Sequence, residues 1–254
     1  MNSLFPQLCC AKEAARRAGE LLRRQFLQEK VVDARLAHDI KLRLDKECQQ
    51  VIYDTLHSAW PEYDFLGEEG GSRGDIEWIV DPLDGTVNYF YGIPLFCVSI
   101  ALRVRGIVEL GCVYAPMLDE MYTVLRGEKP MLNGRPIHVS TRRDMAQAIV
   151  FAGHGAHDGS GEAGIRRFAH ISSKVCKIRI LGSAALSLCY VAAGRMDAYI
   201  EQRIHLWDFA AAQAILEAAG GILEYTPIDA EGLTGAVLAW NGLLPLHETL
   251  ADCT

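Results

Sequence analysis

Near the start of the chain, apolar residues recur at steps of three and four: Leu4, Leu8, Ala11, Ala15, Ala18, Leu22 and Phe26. Lys12, Glu13, Arg16, Arg17, Glu20 and Arg24 fall mainly between them. That spacing puts one apolar stripe on an α-helix. The periodicity returns over about 45–59, with Cys48, Val51, Ile52 and Leu56 facing inward and Pro61 as the stop. Short apolar runs then take over. Residues 76–80, 98–104, 108–114 and 121–125 predict strands, with Arg105-Gly106 and Asn133-Gly134 as turns. After about Thr141, strands alternate with helices: strand candidates at 149–152, 177–181, 198–201, 221–224 and 236–240, and Ala-rich helices at 184–193 and 208–219. Gly194 and Gly220 end those two helices. The change of pattern divides the chain into an N-terminal α+β lobe, 1–141, and a C-terminal α/β lobe, 142–254.

A chain of 254 residues suits one large domain or two packed lobes. Half its residues are apolar (50%) and 22% are charged, which places it among globular rather than disordered chains. The net charge of −7 and the scattered pairs Arg16-Arg17, Arg23-Arg24, Arg142-Arg143 and Arg166-Arg167 supply no basic stripe, so nucleic acid is not an expected partner. Eight cysteines include no Cys-x-x-Cys pair, which argues against structural zinc and for reduced, mostly buried thiols in a cytoplasmic protein. Charges begin at Lys12, too early for a signal peptide, and no run of 18 apolar residues offers a membrane span.

The segment Trp78-Ile79-Val80-Asp81-Pro82-Leu83-Asp84-Gly85-Thr86-Val87-Asn88-Tyr89 carries the most chemistry. An apolar strand runs into two carboxylates, with Pro82 and Gly85 forcing a sharp turn between them. Like charges held this close call for a cation. Gly85 leaves the backbone open, so the N–H groups of Gly85 and Thr86 can meet an anion. The same residues also suit a plain polar turn. An EF-hand is excluded, because Leu83, Gly85 and Gly92 stand where oxygen ligands are required. Taken alone, Glu68-Glu69 reads as a solvated acidic loop, and Asp208 as the N-cap of the helix it precedes. His154 and His157 read as part of a solvated Gly-rich loop, and His205 as structural.

Together these segments resemble the inositol monophosphatase family of metal-dependent sugar-phosphate phosphatases. The resemblance rests on Asp81-Pro82-Leu83-Asp84-Gly85-Thr86 and on Trp207-Asp208-Phe209-Ala210-Ala211, followed by Glu217-Ala218-Ala219-Gly220-Gly221. Gly67-Glu68-Glu69, Leu181-Gly182-Ser183-Ala184-Ala185 and Asp197-Ala198-Tyr199-Ile200-Glu201 match in type and order. It implies a layered αβαβα sugar-phosphatase fold with the acidic motifs meeting between the lobes. It implies two or three Mg2+ ions held by Glu68, Asp81, Asp84, Asp208 and the carbonyl of Leu83. Glu68, Thr86 and Asp45 would be catalytic, with Asp45 working with Thr86 to orient water. Asp84, Gly85, Thr86, Ala184 and Glu201 would bind substrate. It further implies a homodimer, lithium sensitivity and a small phosphate ester as substrate, myo-inositol monophosphate first. Histidinol phosphate, fructose 1,6-bisphosphate and a nucleotide 3′-phosphate are the alternative substrates, and a regulatory binding protein is the alternative class. The chain departs from the family pattern at Lys41, Leu42 and Leu44, where small hydroxyl residues are usual, and at Arg126-Gly127-Glu128-Lys129-Pro130. Both departures bear on substrate preference.

Overall fold

The first apolar stripe forms α1, Phe5–Gln25, with Pro6 in its first turn and Ala11, Ala14, Ala15, Ala18 and Leu22 buried along one face. The computed structural model describes residues 4–35, 40–152 and 161–251. After α1 come β1 (Val32–Arg35), β2 (Ile40–Leu42), α2 (Arg43–His57), β3 (Asp64–Gly67), β4 (Gly70–Gly71), β5 (Ile76–Asp84) and α3 (Thr86–Phe90). A run of strands follows: β6 (Cys97–Val104), β7 (Ile107–Ala115), β8 (Glu120–Leu125), β9 (Met131–Leu132) and β10 (Arg135–Pro136). The remainder alternates: β11 (Ile149–Ala152), α4 (Gly161–Lys174), β12 (Lys177–Arg179), α5 (Ala184–Ala192), β13 (Ala198–His205), α6 (Leu206–Ala218), β14 (Ile222–Pro227), β15 (Thr234–Trp240) and α7 (Leu246–Ala251).

Two large sheets result. One has eight strands in the order β10-β9-β8-β7-β6-β5-β3-β4, the other five in the order β12-β11-β13-β15-β14. Strand alternation sorts side chains to the two faces of the first sheet. Trp78, Val80, Ile100, Leu102, Leu110 and Cys112 turn toward α1 and α2. Ile79, Cys97, Ala101, Val113 and Ala115 turn toward α5 and α6. Each fully buried aliphatic side chain of this kind contributes about 1.5–3 kcal/mol of apolar burial. The five-stranded sheet closes the other side of α5 and α6, and Val150, Ala198, Ile200 and Trp240 face outward to Ile171 of α4 and Leu246 of α7. The layers therefore run helix, sheet, helix, sheet, helix, as expected from the resemblance. The Ala-rich character of α6 has a direct cause: a Cβ at Gly111 on β7 would stand 2.3 Å from the carbonyl oxygen of Ala211. Small residues on both partners let helix and sheet approach this closely.

The elements differ from expectation mainly at their ends. β13 continues past Glu201 to His205, and α6 begins at Leu206 rather than Asp208. The short elements α3, α7, β1 to β4, β9 and β10, and the longer α4, had no counterpart in the expected elements. Cys48, Cys97, Cys112 and Cys189 are buried free thiols, Cys10 is half-buried, and Cys9 and Cys176 are exposed; Cys253 lies outside the described residues. Among the described residues, no helix is long and apolar enough to cross a membrane.

Candidate metal centre

β3 and β5 run parallel, pairing Gly67 with Val80, and the N–H of Glu68 donates to the Val80 carbonyl at 3.1 Å. This register sets Glu68 beside Asp81 at the C-terminal ends of two adjacent strands. Across β5 lies antiparallel β6, with Asp81 opposite Ser99 and Asp84 opposite Cys97. Three steps on β5 thus match two on β6, a β-bulge that re-aims side chains without ending the strand. The sharp turn expected between Asp81 and Asp84 is therefore a bulge, and the chain turns only at Gly85. There φ is +98°, and a Cβ would stand 3.0 Å from the Leu95 carbonyl oxygen and 3.1 Å from that of Gly182. Only glycine fits both conditions. Inside the bulge, the N–H of Leu83 donates to Asp81 Oδ1 at 2.9 Å, and the Thr86 hydroxyl donates to the Leu83 carbonyl at 2.9 Å.

Two helix starts complete the site. Asp84 meets the start of α5: its Oδ1 accepts from the N–H of Ala184 at 3.0 Å, and its Oδ2 from the N–H of Ala185 at 2.7 Å and the Ser183 hydroxyl at 2.6 Å. The Cys97 thiol approaches the same Oδ2 at 3.4 Å. Asp208 is the third residue of α6 rather than its N-cap; His205 is the cap, and its N–H donates to Asp208 Oδ2 at 2.9 Å. Because α6 lies across β5 and β6, Asp208 joins acids more than a hundred positions earlier. Glu68, Asp81, Leu83, Asp84, Gly85, Thr86, Val87, Gly182, His205 and Asp208 line one cavity of about 240 Å³. A larger cavity, about 670 Å³, lies between α2 and β3–β4; Glu69 reaches it, but none of those four acids does. Chemistry rather than size selects the smaller one.

Crowding and burial act together on these acids. Burial first, then the charges of Glu68, Asp84 and Asp208, push Asp81 well above the ordinary carboxylate range. Asp208 is pushed well up by burial and then by Asp84 and Glu68. Burial raises Asp84 against the pull of its Ser183, Ala184 and Ala185 donors, and raises Glu68 against the pull of Lys41. Buried anions that disfavour one another gain when a cation comes between them. The donors are oxygens alone, which suits a hard divalent ion. As placed, Asp84 faces α5 and Glu68 faces Lys41, so among the described residues no three acidic, His or Cys side chains converge as a finished ligand set. The donor set, oxygens alone, fits magnesium in chemistry.

Comparison with known proteins decides the family. The family model described as the inositol monophosphatase family matches residues 5–252. The chain belongs to the inositol monophosphatase family. It is 36% identical over 246 residues to the Nus factor SuhB of Escherichia coli K12, covering 94% of this chain and 92% of that protein. It is 37% identical over 232 residues to inositol monophosphatase 1 of Solanum lycopersicum, covering 87% and 85%. The IMPase structure from Thermotoga maritima superposes with a TM-score of 0.86 at 31% identity, covering 98% of this chain and 96% of that one.

Within this inositol monophosphatase family member, the remaining expected residues sit around the cavity rather than on its wall. Ala184 is tied to the site through its N–H, which it donates to Asp84. Asp45, third in α2, accepts the N–H of Leu42 at 2.8 Å and lies within electrostatic reach of Glu68 and Lys41. Glu201 sits on β13 opposite Val237, where the strand pairing becomes irregular, and its Oε1 accepts the N–H of Gln202 at 3.0 Å. His205, read from sequence as structural, does stack on Trp207 and meet Thr234, yet it also lines the cavity. Lys41 was noted only as a departure from the family pattern, and it ion-pairs with both Glu68 and Glu69. In the sequence it is one of two cations just before Asp45, the other being Arg43, and nothing local sets it apart. His154 and His157 lie outside the described residues.

Proposed function

We propose that the chain is a magnesium-dependent phosphomonoesterase acting on a small polyol phosphate, with myo-inositol monophosphate as the first choice. The observation that carries this reading is the meeting of Glu68, Asp81, Asp84 and Asp208 on one cavity beside the open backbone at Gly85 and Thr86. Glu68, Asp81, Asp84, Asp208 and the Leu83 carbonyl would hold the ions. Bound magnesium supplies Lewis-acid stabilisation of phosphoryl charge and makes a coordinated water nucleophilic. The protein does the rest. Backbone N–H groups of Gly85 and Thr86 take phosphate oxygens. The Thr86 hydroxyl, fixed by donating to Leu83, has lone pairs left to accept a hydrogen bond from water. Glu68 and Asp45 assist that orientation. Ala184 and Glu201 meet the hydroxyl-bearing body of the substrate. A homodimer, lithium inhibition, a cytoplasmic location and the division into lobes 1–141 and 142–254 belong to the same proposal.

Release of inorganic phosphate from a panel of inositol, histidinol, fructose and nucleotide 3′-phosphates, with and without magnesium, tests it. Inositol phosphate is expected to rank first, with no turnover in the chelated protein or in Asp84→Asn. A different best substrate would replace the substrate while keeping the metal chemistry. The Escherichia coli relative's name, Nus factor, favours one second reading, a regulatory protein of the same fold; absence of phosphate release from every ester at saturating magnesium would select it.

A further inference from the structure

Lys41 stands beside Glu68, on the wall of the acid-lined cavity, and beside Glu69, on the wall of the larger one. It projects from β2, and its ammonium bonds to Glu68 and, at 3.1 Å, to Glu69. All three side chains are largely covered, with relative exposures of 26% for Lys41, 17% for Glu68 and 12% for Glu69. The arrangement is held from both sides: Gln49 of α2 accepts the N–H of Glu69 at 3.0 Å, and Glu68 is pinned by its N–H to β5. The ammonium is thus bracketed by two carboxylates within ion-pair distance. Its positive charge also acts on Asp45 and Asp208.

We propose that Lys41 is a built-in cation of the metal centre, occupying the Glu68–Glu69 end in place of a further divalent ion and limiting the chain to two. This rests on the metal-site reading above and sharpens its ion count. Glu68, Glu69, Asp81, Asp84 and Asp208 make five carboxylates. Two doubly charged ions and one ammonium neutralise them, leaving the incoming phosphate dianion to be met by backbone N–H groups and the open faces of the ions. A lysine ammonium is a compact point charge with three donors, well matched to two neighbouring carboxylates. It needs no octahedral shell, whereas magnesium at the same place would have to keep several waters. Unlike a loosely held ion, a tethered ammonium does not leave with product. Lys41 is thus a positioning residue: it acts on Glu68, which would hold an ion, and touches no reacting atom itself.

Manganese(II) bound per chain, counted by equilibrium dialysis with inorganic phosphate present, tests the proposal without recourse to turnover. The wild type is expected to hold two ions, Lys41→Arg two, and Lys41→Met three, the third weaker. Melting temperature provides a second reading. In chelator, Lys41→Met should melt lower than wild type, and magnesium should raise its melting point more than it raises that of wild type. Three ions on the wild type, or two on a folded Lys41→Met, would overturn the role of Lys41. So would failure of Lys41→Met to fold at any magnesium concentration, since a merely structural lysine behaves that way. No bound manganese on the wild type would instead sink the metal-site reading itself.

Discussion

The two helices that begin beside the site, α2 and α6, start in the same way. Asp45 is the third residue of one and Asp208 the third of the other, and each reaches back to accept the N–H of the residue before its helix, Leu42 or His205. In both, one carboxylate oxygen satisfies a backbone donor that the helix leaves unpaired. The second oxygens face different company. Asp208 lines the cavity with Glu68, Asp81 and Asp84. Asp45 is buried off the cavity wall, and its Oδ1 has no hydrogen-bond partner. The local motif is the same and stabilises each helix alike; what the rest of the chain packs against it makes one acid a candidate metal ligand and leaves the other a neighbour.

Substitution at the two positions should separate these roles. Asn keeps the backbone bond through its amide oxygen, removes the charge and puts an amide nitrogen in place of the second carboxylate oxygen. Asp208→Asn takes a candidate ligand from the cavity, a loss of several kcal/mol of charge stabilisation, or roughly three orders of magnitude in turnover. Its magnesium affinity should fall with it. Asp45→Asn should lower turnover by disturbing water orientation at Thr86 while magnesium affinity stays within a few-fold of wild type. Isothermal titration of both variants with magnesium measures the contrast, and equal losses of affinity would erase it.

The contrast also explains what could be read from sequence. The helix–sheet alternation, the turns at Arg105-Gly106 and Asn133-Gly134 and the inward faces of α1 and α2 follow from local spacing, and they were legible. So were the acids of β5, because Asp81 and Asp84 share one short segment. Asp208 was ambiguous for a physical reason: a capping acid and a metal ligand look identical until α6 is laid across β5 and β6. The family motifs, not the spacing, resolved it. The bulge between Asp81 and Asp84 was missed because it depends on the register with β6, which Pro82 and Gly85 do not reveal. Lys41 was seen as an oddity, and its partners, 27 and 28 positions on, meet it only in the folded chain.

Glu201 extends the comparison to an acid farther from the centre. Its place midway along β13, off the cavity wall, suits contact with a substrate's outer hydroxyls rather than with phosphate. Loss of a charged hydrogen-bond partner costs about 1.5–3 kcal/mol, roughly ten- to a hundredfold. Glu201→Gln should therefore lower kcat/KM for inositol phosphate by that factor and leave p-nitrophenyl phosphate, which lacks such hydroxyls, nearly untouched. Equal losses on the two esters would remove Glu201 from substrate recognition.

The smallest expected effect concerns Asp45 and stability. Burial pushes its carboxyl up to about 7, against the pull of the Leu42 N–H and with Glu68 adding to the rise. In the unfolded chain an aspartate titrates near 3.9. Between those values the folded protein holds a proton that the unfolded chain has released, so this group's contribution to stability is complete below about pH 4 and is lost as pH rises through 7. Asn cannot titrate, and its amide nitrogen inherits a buried place without a partner, a penalty that offsets part of the gain. In chelator at pH 8, Asp45→Asn should come out ahead by about 1 kcal/mol, or about 2–4 °C in melting temperature for a chain of this size. At pH 5 the advantage should vanish or reverse. Asp208→Asn provides the control: the same experiment there also removes repulsion from Asp84 and Glu68, so its gain at pH 8 should be the larger. Melting curves of the three proteins across pH 5–8 make the comparison. Parallel curves for wild type and Asp45→Asn would mean that Asp45 keeps its charge throughout, and that the two helix starts are alike electrostatically as well as in their bonding.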